Sequence, residues 1–508
     1  MAASAEHRYT GLLRGAVGWA KARLLAIVGG PARFQVIAIL ACVLALDAAD
    51  KGTIGAVAPE LSTGLGISDT QLGSLTAVSS GIGAVAALPV GVLTDRINRV
   101  RLLAASIVVW CAAMVAGGLA GSFLWLLLSR LALGAVSATA GPTLASLVGD
   151  YFPPAERGRI YGFILSGELL GAGFGLLIGG NLAHLLSWRA AFGFLALLGL
   201  ALAYVITRRL PEPARGGQSR LRPGETELEP DAQAHGEPPG GEQGTASRRD
   251  DPARSRLETR GVEPDPDLVL RRDPARLSMW AAARYVLRIP TNVVLIVASA
   301  LGYFFFSGLR TFGVVFVMRH YGLTHAVVSG LALVIGAGAL AGVLTGGRVA
   351  DWLIRRGHIS ARVLVPAVAY LLTAGLFIPG LLTTGVAVAA PVFVAAAASL
   401  SAANSPLDAA RLDVVHFRLW GRAESVRTFL RMGAEAIAPV AFGFTADRLG
   451  HGGKGGARGL EYAFLVMLAP LIASAAILFR GRRTYPRDVA TAAESERVTA
   501  GANGPRSP

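Results

Sequence analysis

Twelve stretches of about twenty apolar residues, separated by short polar turns, limit what this chain can become. They lie near 34–58, 70–93, 101–120, 123–149, 158–182, 189–208, 291–318, 326–352, 361–383, 386–409, 424–447 and 460–480. A helix rising 1.5 Å per residue crosses a hydrocarbon core of roughly 30 Å in about 20 residues, so each stretch is one crossing. The 508 residues are 53% hydrophobic and only 16% charged, too apolar for a soluble enzyme of that length. An all-α membrane protein with twelve transmembrane helices is expected, multi-pass in the cell (cytoplasmic) membrane.

The net charge of +15 is distributed by position. Arg96, Arg99, Arg101, Arg157, Arg159, Arg355, Arg356, Arg362, Arg418, Arg422, Arg480, Arg482 and Arg483 all follow an even-numbered stretch or precede an odd-numbered one. That asymmetry places both termini and these loops in the cytoplasm, next to anionic lipid headgroups, and argues against nucleic acid as the partner. Residues 1–33 are expected to be a cytoplasmic segment with an amphipathic run from Tyr9 to Gly29, since Arg14, Lys21 and Arg23 interrupt its apolar residues. A loose tail is the plainer alternative. Cys42 and Cys111, the only two cysteines, fall inside spans, so neither a disulfide framework nor a metal site is implied.

Six spans precede residue 210 and six follow 290, giving two six-helix bundles over 34–210 and 277–483. Residues 211–276, rich in Pro, Gly, Glu and Arg, are expected to form a disordered cytoplasmic linker with a surface helix near Leu277 to Leu287 at its end, and 484–508 a disordered cytoplasmic tail. The halves repeat one motif. Gly91 and Asp95 stand four apart at the end of span 2, and Gly347 and Asp351 stand four apart at the end of span 8. The positive-inside rule explains the neighbouring arginines but not a glycine and an aspartate at matched spacing. The glycine admits a close helix, and the aspartate can face a helix N-terminus or an arginine.

Ionised groups at bilayer depth are costly unless paired or wet, so each is a candidate for function. Asp47, Asp50 and Lys51 lie in span 1 and Arg130 in span 4. Helical rise puts Asp50 roughly 24 Å from the cytoplasmic start and Arg130 roughly 10 Å from the outer start, at one depth, so the two are expected to meet in a water-lined cavity. A permanent structural ion pair is the alternative. Glu168 and Glu435, in spans 5 and 11, sit near the midplane. Glu168 has no cation within its own helical neighbourhood and suits a proton carrier, whereas Arg431 precedes Glu435 by one turn and suits an intrahelical pair. Arg310, among aromatics toward the outer end of span 7, can hold an anionic headgroup or snorkel. In span 10, "NSPLDAARLDVVHFRLWGRAES" breaks at Pro406 and presents Asp408, Arg411 and Asp413 near the exit. Opposite charges there suit a gate closing on the loop arginines, solvated helix ends being the alternative.

No nucleophile elbow, nucleotide loop or Cys/His metal spacing occurs, so no catalytic set, metal or cofactor is expected. The glycines of "GELLGAGFGLLIGG" read as helix packing.

The loop Gly91, Leu93, Asp95, Arg96, Arg99, Arg101 resembles the signature of the major facilitator superfamily, with Asn98 where that pattern has glycine. "RLALG" in span 4, the span 5 glycines and "SWRAAF" at Ser187 to Phe192 add to the likeness. The resemblance implies two pseudo-symmetric six-helix bundles (the major facilitator fold), a cavity lined by spans 1, 4, 7 and 10, and rocking of the halves. "DKGTIGAVAPEL", "LLLSRLALG" with "GPTLASLVGDYFPPAERGR", and "GAEAIAPVAFGFTADRL" further resemble Spinster-like lipid transporters. On that likeness Asp50, Lys51 and Arg130 match charged cavity positions and Glu435 the acid of span 11. Ser137 stands where those relatives carry an acid and Lys51 where they carry arginine, so Glu168 is left as the substitute acid. The expected function is a monomeric secondary transporter, proton-coupled, of an amphiphilic or anionic small molecule such as a lysolipid. Asp50, Lys51, Arg130 and Arg310 would bind substrate. Glu168, Asp50 and Glu435 would couple protons. Gly91, Asp95, Arg96, Arg99, Gly347, Asp351, Asp408 and Arg411 would form the cytoplasmic gate. A proton-driven multidrug efflux pump and a non-transporting membrane sensor or scaffold stay open as alternatives.

Overall fold

In hydrocarbon, backbone N–H and C=O groups must find partners within the chain, and helices achieve this segment by segment. A computed structural model describes residues 23, 25–67, 69–215, 221, 252–449 and 457–502, and among these only helices and connecting turns occur. Eleven helices are long and apolar enough to cross a membrane. Their ranges are Pro31–Ala56 (span 1), Asp69–Arg96 (span 2), Arg99–Gly118 (span 3), Phe123–Tyr151 (span 4), Pro154–Leu185 (span 5), Trp188–Arg209 (span 6), Pro290–Tyr321 (span 7), His325–Arg355 (span 8), Ala361–Leu382 (span 9), Val386–Val414 (span 10) and Arg458–Gly481 (span 12). Trp420–Leu449, at 30 residues, is span 11. Its length suffices, but Arg422, Glu424, Arg427, Arg431 and Glu435 make it the most charged of the set. The chain is a multi-pass membrane protein.

Spans 4 and 10 are each interrupted, at Ala138–Thr139 and at Ala403. Pro142 and Pro406 lie three or four residues beyond those breaks, where a proline ring clashes with the carbonyl one turn back. The interruption expected at Pro406 therefore appears three residues earlier.

The packing repeats between halves. Spans 1 and 5, 3 and 6, and 2 and 4 pair in the first; spans 7 and 11, 9 and 12, and 8 and 10 pair in the second. Small residues permit this closeness: a Cβ on Gly171 or Gly175 of span 5 would overlap the backbone of Ala45 or Ala49 in span 1. The halves meet through spans 2 and 11 and through spans 5 and 8.

The polar segments behave less simply than expected. The amphipathic run at Tyr9 to Gly29 lies mostly outside the described residues. Residues 211–215 and 252–276, expected to be disordered, take defined positions. The Asp265 and Leu270 N–H groups donate to the Thr491 and Ser495 hydroxyls at 2.8 and 3.0 Å. Those acceptors belong to Tyr485–Ala502, a helix where a disordered tail was expected. Tyr485, Val489 and Ala492 recur at helical spacing and are buried, so this polar stretch has a narrow apolar face. The expected surface helix is present as Met279–Val286, its first turn capped by the Ser278 hydroxyl.

Candidate functional site

A cleft of about 810 Å³, counting its open mouth, lies between the halves. Its walls come from spans 1, 4, 5, 7, 10 and 11, including Asp47, Lys51, Glu168, Tyr303, Arg427 and Arg431. Asp47 holds Lys51 at 2.6 Å, one turn along the same helix. The floor is a charge-matched cluster. Asp408 and Arg411 pair at 2.5 Å, Glu424 bridges Arg411 and Arg427, and Arg427 also donates to the Ser299 hydroxyl at 3.0 Å. These four charged groups are buried. Higher on the wall, Arg431 stacks over the Tyr303 ring at 4.4 Å and stands 3.5 Å from Glu435. Glu168, half-buried on span 5, faces this cleft from the other half.

Glu168 and Tyr303 also border a second, smaller recess, otherwise mainly apolar, between spans 5, 7, 8, 9 and 10. Leu165, Leu169, Phe306, Val343, Tyr370 and Leu400 form most of its wall.

Below the cleft, at the end carrying the arginine loops, the halves are locked by a repeated device. Asp95, ending span 2, accepts from the Gly421 N–H at 2.9 Å, the Arg422 N–H at 3.2 Å and the Arg422 Nε at 2.7 Å. Asp351, ending span 8, accepts from the Arg159 N–H at 2.7 Å and from Arg362 at 3.0 Å. Each aspartate thus caps the first turn of a span from the opposite half, where free N–H groups and the helix dipole favour an anion. Gly91 and Gly347 make the approach possible: added Cβ atoms would overlap Ser425 and the Gly158 carbonyl. Arg362 also donates to the Pro154 carbonyl across the interface, and to Asp413 at 2.5 Å. Residues Pro142–Tyr151, Ser405–Val414 and Trp420–Thr428 are buried throughout, which seals this end. Farther along spans 2, 8 and 11, Gly81, Gly336 and Gly433 face open space.

The sequence model of the Major Facilitator Superfamily matches residues 40–439. The chain belongs to that superfamily. The bacterial homologue of the human lysosomal transporter Spinster, solved inward-facing and unoccupied, shares the fold at a TM-score of 0.55 and 22% identity, covering 90% of this chain and 98% of that one. The hexuronate transporter of Bacillus subtilis is 29% identical over 168 residues, 33% of this chain and 40% of the relative. Protein spinster homolog 1 of Homo sapiens is 26% identical over 188 residues, 36% of each chain. The matched stretches thus span about two fifths or less of those relatives' lengths.

Within this major facilitator, the predicted residues fall into three groups. Lys51, Glu168, Asp408 and Arg411 line the cleft, joined by Asp47, Tyr161 and Arg431. Asp50 and Arg130 meet at 2.8 Å as their depths implied, but they are 3% and 1% exposed, with Phe192 under the guanidinium at 4.6 Å. They lie inside the first bundle and not on the wet wall that was expected. Arg310 is exposed and is not among the cleft-lining residues. At the locked end, Gly91, Asp95, Gly347 and Asp351 cross between halves. Arg99 does not. It binds Asp150, the Ser146 hydroxyl, Glu212 and the Pro213 carbonyl, all of its own half or the adjoining linker. Arg96 is exposed and reaches the Leu277 carbonyl at 3.4 Å. Asp408 and Arg411 serve the floor of the cleft within the second half.

Sequence reasoning passed over Arg422, Glu424, Arg427 and the three tyrosines 161, 303 and 370. Span 11 was expected to start at 424, which left Arg422 in a loop; it starts at Trp420. The available signal was the run Glu424, Arg427, Arg431, Glu435, spaced three and four apart on one face.

Proposed function

We propose that this chain is a proton-coupled secondary transporter that works by alternating access and carries an amphiphilic organic anion, a lysolipid being the leading candidate, across the cytoplasmic membrane. One observation carries the reading: a charged cleft between two pseudo-symmetric halves, locked at one end by reciprocal aspartate caps. Such a lock holds without covalent bonds and can be exchanged for a second one at the other end. The positive-inside rule makes the locked end cytoplasmic, with both termini on that side, so the described state is open outward. Gly91, Asp95, Gly347 and Asp351 are then the cytoplasmic gate, together with Arg159, Arg362 and Arg422.

Glu168 is the proposed proton carrier. It faces the cleft from one half while Arg431 and Lys51 are the cations whose fields reach it, so its charge bears on how the halves meet. Glu435, paired with Arg431, is a secondary participant. Lys51 lines the wall, held there by Asp47, whereas Asp50 and Arg130 tie span 1 to span 4. An anionic cargo fits one relative, since the hexuronate transporter's name specifies an acid, and the lysolipid comes from the sequence resemblance to Spinster-like transporters.

The test is uptake of radiolabelled lysolipid into proteoliposomes under an imposed pH gradient. The wild type is expected to accumulate label only with the gradient, and Glu168→Gln to lose the gradient dependence. Identical accumulation in both would remove Glu168 from coupling. Protection of a drug-sensitive host without lipid movement would make the chain an efflux pump. No movement of either cargo, and no ligand that shifts the melting temperature, would make it a sensor or scaffold.

A further inference from the structure

We propose that Arg431, with Tyr161 and Arg411 below it, is the site that holds the oxyanion of the cargo, a carboxylate or phosphate, while the cargo's apolar part enters the side chamber behind Tyr303. The inference rests on the transport reading for its context and concerns residues that the family signature does not mark.

The charges of the cleft point to Arg431 by subtraction. Lys51 is committed to Asp47 at 2.6 Å. Arg411 and Arg427 are matched one for one by Asp408 and Glu424. Arg431 is the most loosely paired of these cations: its ion pair with Glu435 is 3.5 Å long and leaves the buried Nε without a hydrogen-bond partner among the described residues. The Tyr303 ring nevertheless fixes the guanidinium plane at 4.4 Å. A planar, oriented and under-bonded guanidinium is what bidentate recognition of an oxyanion requires.

A second observation is independent of Arg431. Two more cleft-lining groups, the Tyr161 hydroxyl and the Arg411 Nε, are buried without a hydrogen-bond partner, and Tyr161 is only 2% exposed. Buried polar groups rarely stay unpaired. All three of these groups can donate, so a ligand rich in acceptor oxygens is the kind that suits them. A cationic or purely apolar ligand leaves them as they are.

The side chamber supplies the rest of the specificity. It shares Leu165, Glu168 and Tyr303 with the main cleft, so a molecule held at Arg431 has a mainly apolar recess beside it for its apolar part.

The test uses the full chain at equilibrium, with no gradient, and probes of one chain length: hexanoate, hexyl phosphate, hexyltrimethylammonium and hexanol. Affinities come from tryptophan fluorescence and melting-temperature shifts. One or both anions should bind, and the better of the two tells carboxylate from phosphate; the cation and alcohol should bind at least tenfold more weakly. Arg431→Gln should weaken the anion by about 10- to 100-fold, the loss expected of a hydrogen bond to a charged group. Arg431→Lys, which keeps the charge but not the fork, should fall between, and Tyr161→Phe should weaken it several-fold. If Arg431→Gln does not fold, the lysine variant and the ranking of the four probes still decide the matter. Undiminished anion binding in folded Arg431 variants, or hexanol binding as well as hexanoate, would overturn the anchor. Gradient-driven uptake surviving that result would leave the transport reading intact, while silence from every probe together with no uptake would remove both.

Discussion

The aspartate lock makes a quantitative prediction. Replacing Asp95 by asparagine keeps size and one acceptor oxygen but removes the charge. In the locked state that carboxylate takes three hydrogen bonds, two from backbone N–H groups and one from the buried Arg422 side chain at 2.7 Å. Asparagine retains acceptance at one oxygen and turns an NH2 group toward a donor at the other. Arg422 is not stranded, because the Leu277 and Pro274 carbonyls still accept from it at 2.8 and 3.2 Å. The loss is therefore about 2–3 kcal/mol, one charge-assisted hydrogen bond plus a weakened helix cap, and not the larger cost of an abandoned buried ion. That energy belongs to the locked state alone, since the contact joins different halves. Asp95→Asn should shift the locked-to-unlocked ratio by roughly 30- to 150-fold. Spin labels on exposed positions of spans 2 and 11 near the arginine loops, read by pulsed dipolar spectroscopy, report the distance between the halves. Asp351→Asn should act similarly through spans 5 and 8, and Glu494→Gln, a partly exposed site on the C-terminal helix that takes no part in either cap, should do nothing. A distance distribution for Asp95→Asn that matches the Glu494→Gln control would refute the idea that capping across the halves stabilises this state.

Other expectations follow from neighbouring features. Arg130→Met should cost about 3–5 kcal/mol by leaving Asp50 buried without its cation, and Asp50→Asn/Arg130→Met should recover most of it, as read by thermal melting; folded single variants that lose only ligand binding would place the pair in the site instead. Gly347→Val cannot close on the Gly158 carbonyl, so the same spin-label distances should widen between spans 5 and 8 while spans 1 and 5 stay packed. Burial alone would lift the Asp273 carboxyl, but hydrogen bonds from Arg418 at 2.6 Å and from the Ala275 N–H hold it below its usual range. A lowered carboxyl contributes stability that is present above its ordinary value of about 3.9 and is lost as pH falls through the lowered one. The amide protection factors over residues 273–278, corrected for the intrinsic pH dependence of exchange, should therefore fall in acid, and Asp273→Asn should lower them at neutral pH; protection insensitive to both would dismiss the tie.

The spans were readable because one physical demand, about twenty apolar residues per crossing, acts on each stretch separately. The matched Gly91–Asp95 and Gly347–Asp351 spacings were readable because the fold repeats in sequence. What those aspartates touch was not: Asp95 meets Arg422 across 327 positions, and nothing local distinguishes Arg422 from other loop arginines. Arg99 shows the converse. It carries the same signals of charge and location, yet it turns back into its own half. Counting depth brought Asp50 and Arg130 together correctly, but depth along a helix carries no information about which face is wet. The tail was misjudged because its buried face consists of small residues, Ala492 and Ser495 beside Tyr485, whose contribution depends on the linker segment lying against them.

Arg422 holds Asp95 on one side and, on the other, the carbonyls of Pro274 and Leu277 in the connecting segment. The tether that joins the two bundles is thus knotted to the very latch that keeps them shut. Any stroke that parts the bundles at this end must tug on the tether or slip free of it, and force applied to the tether is felt at the latch.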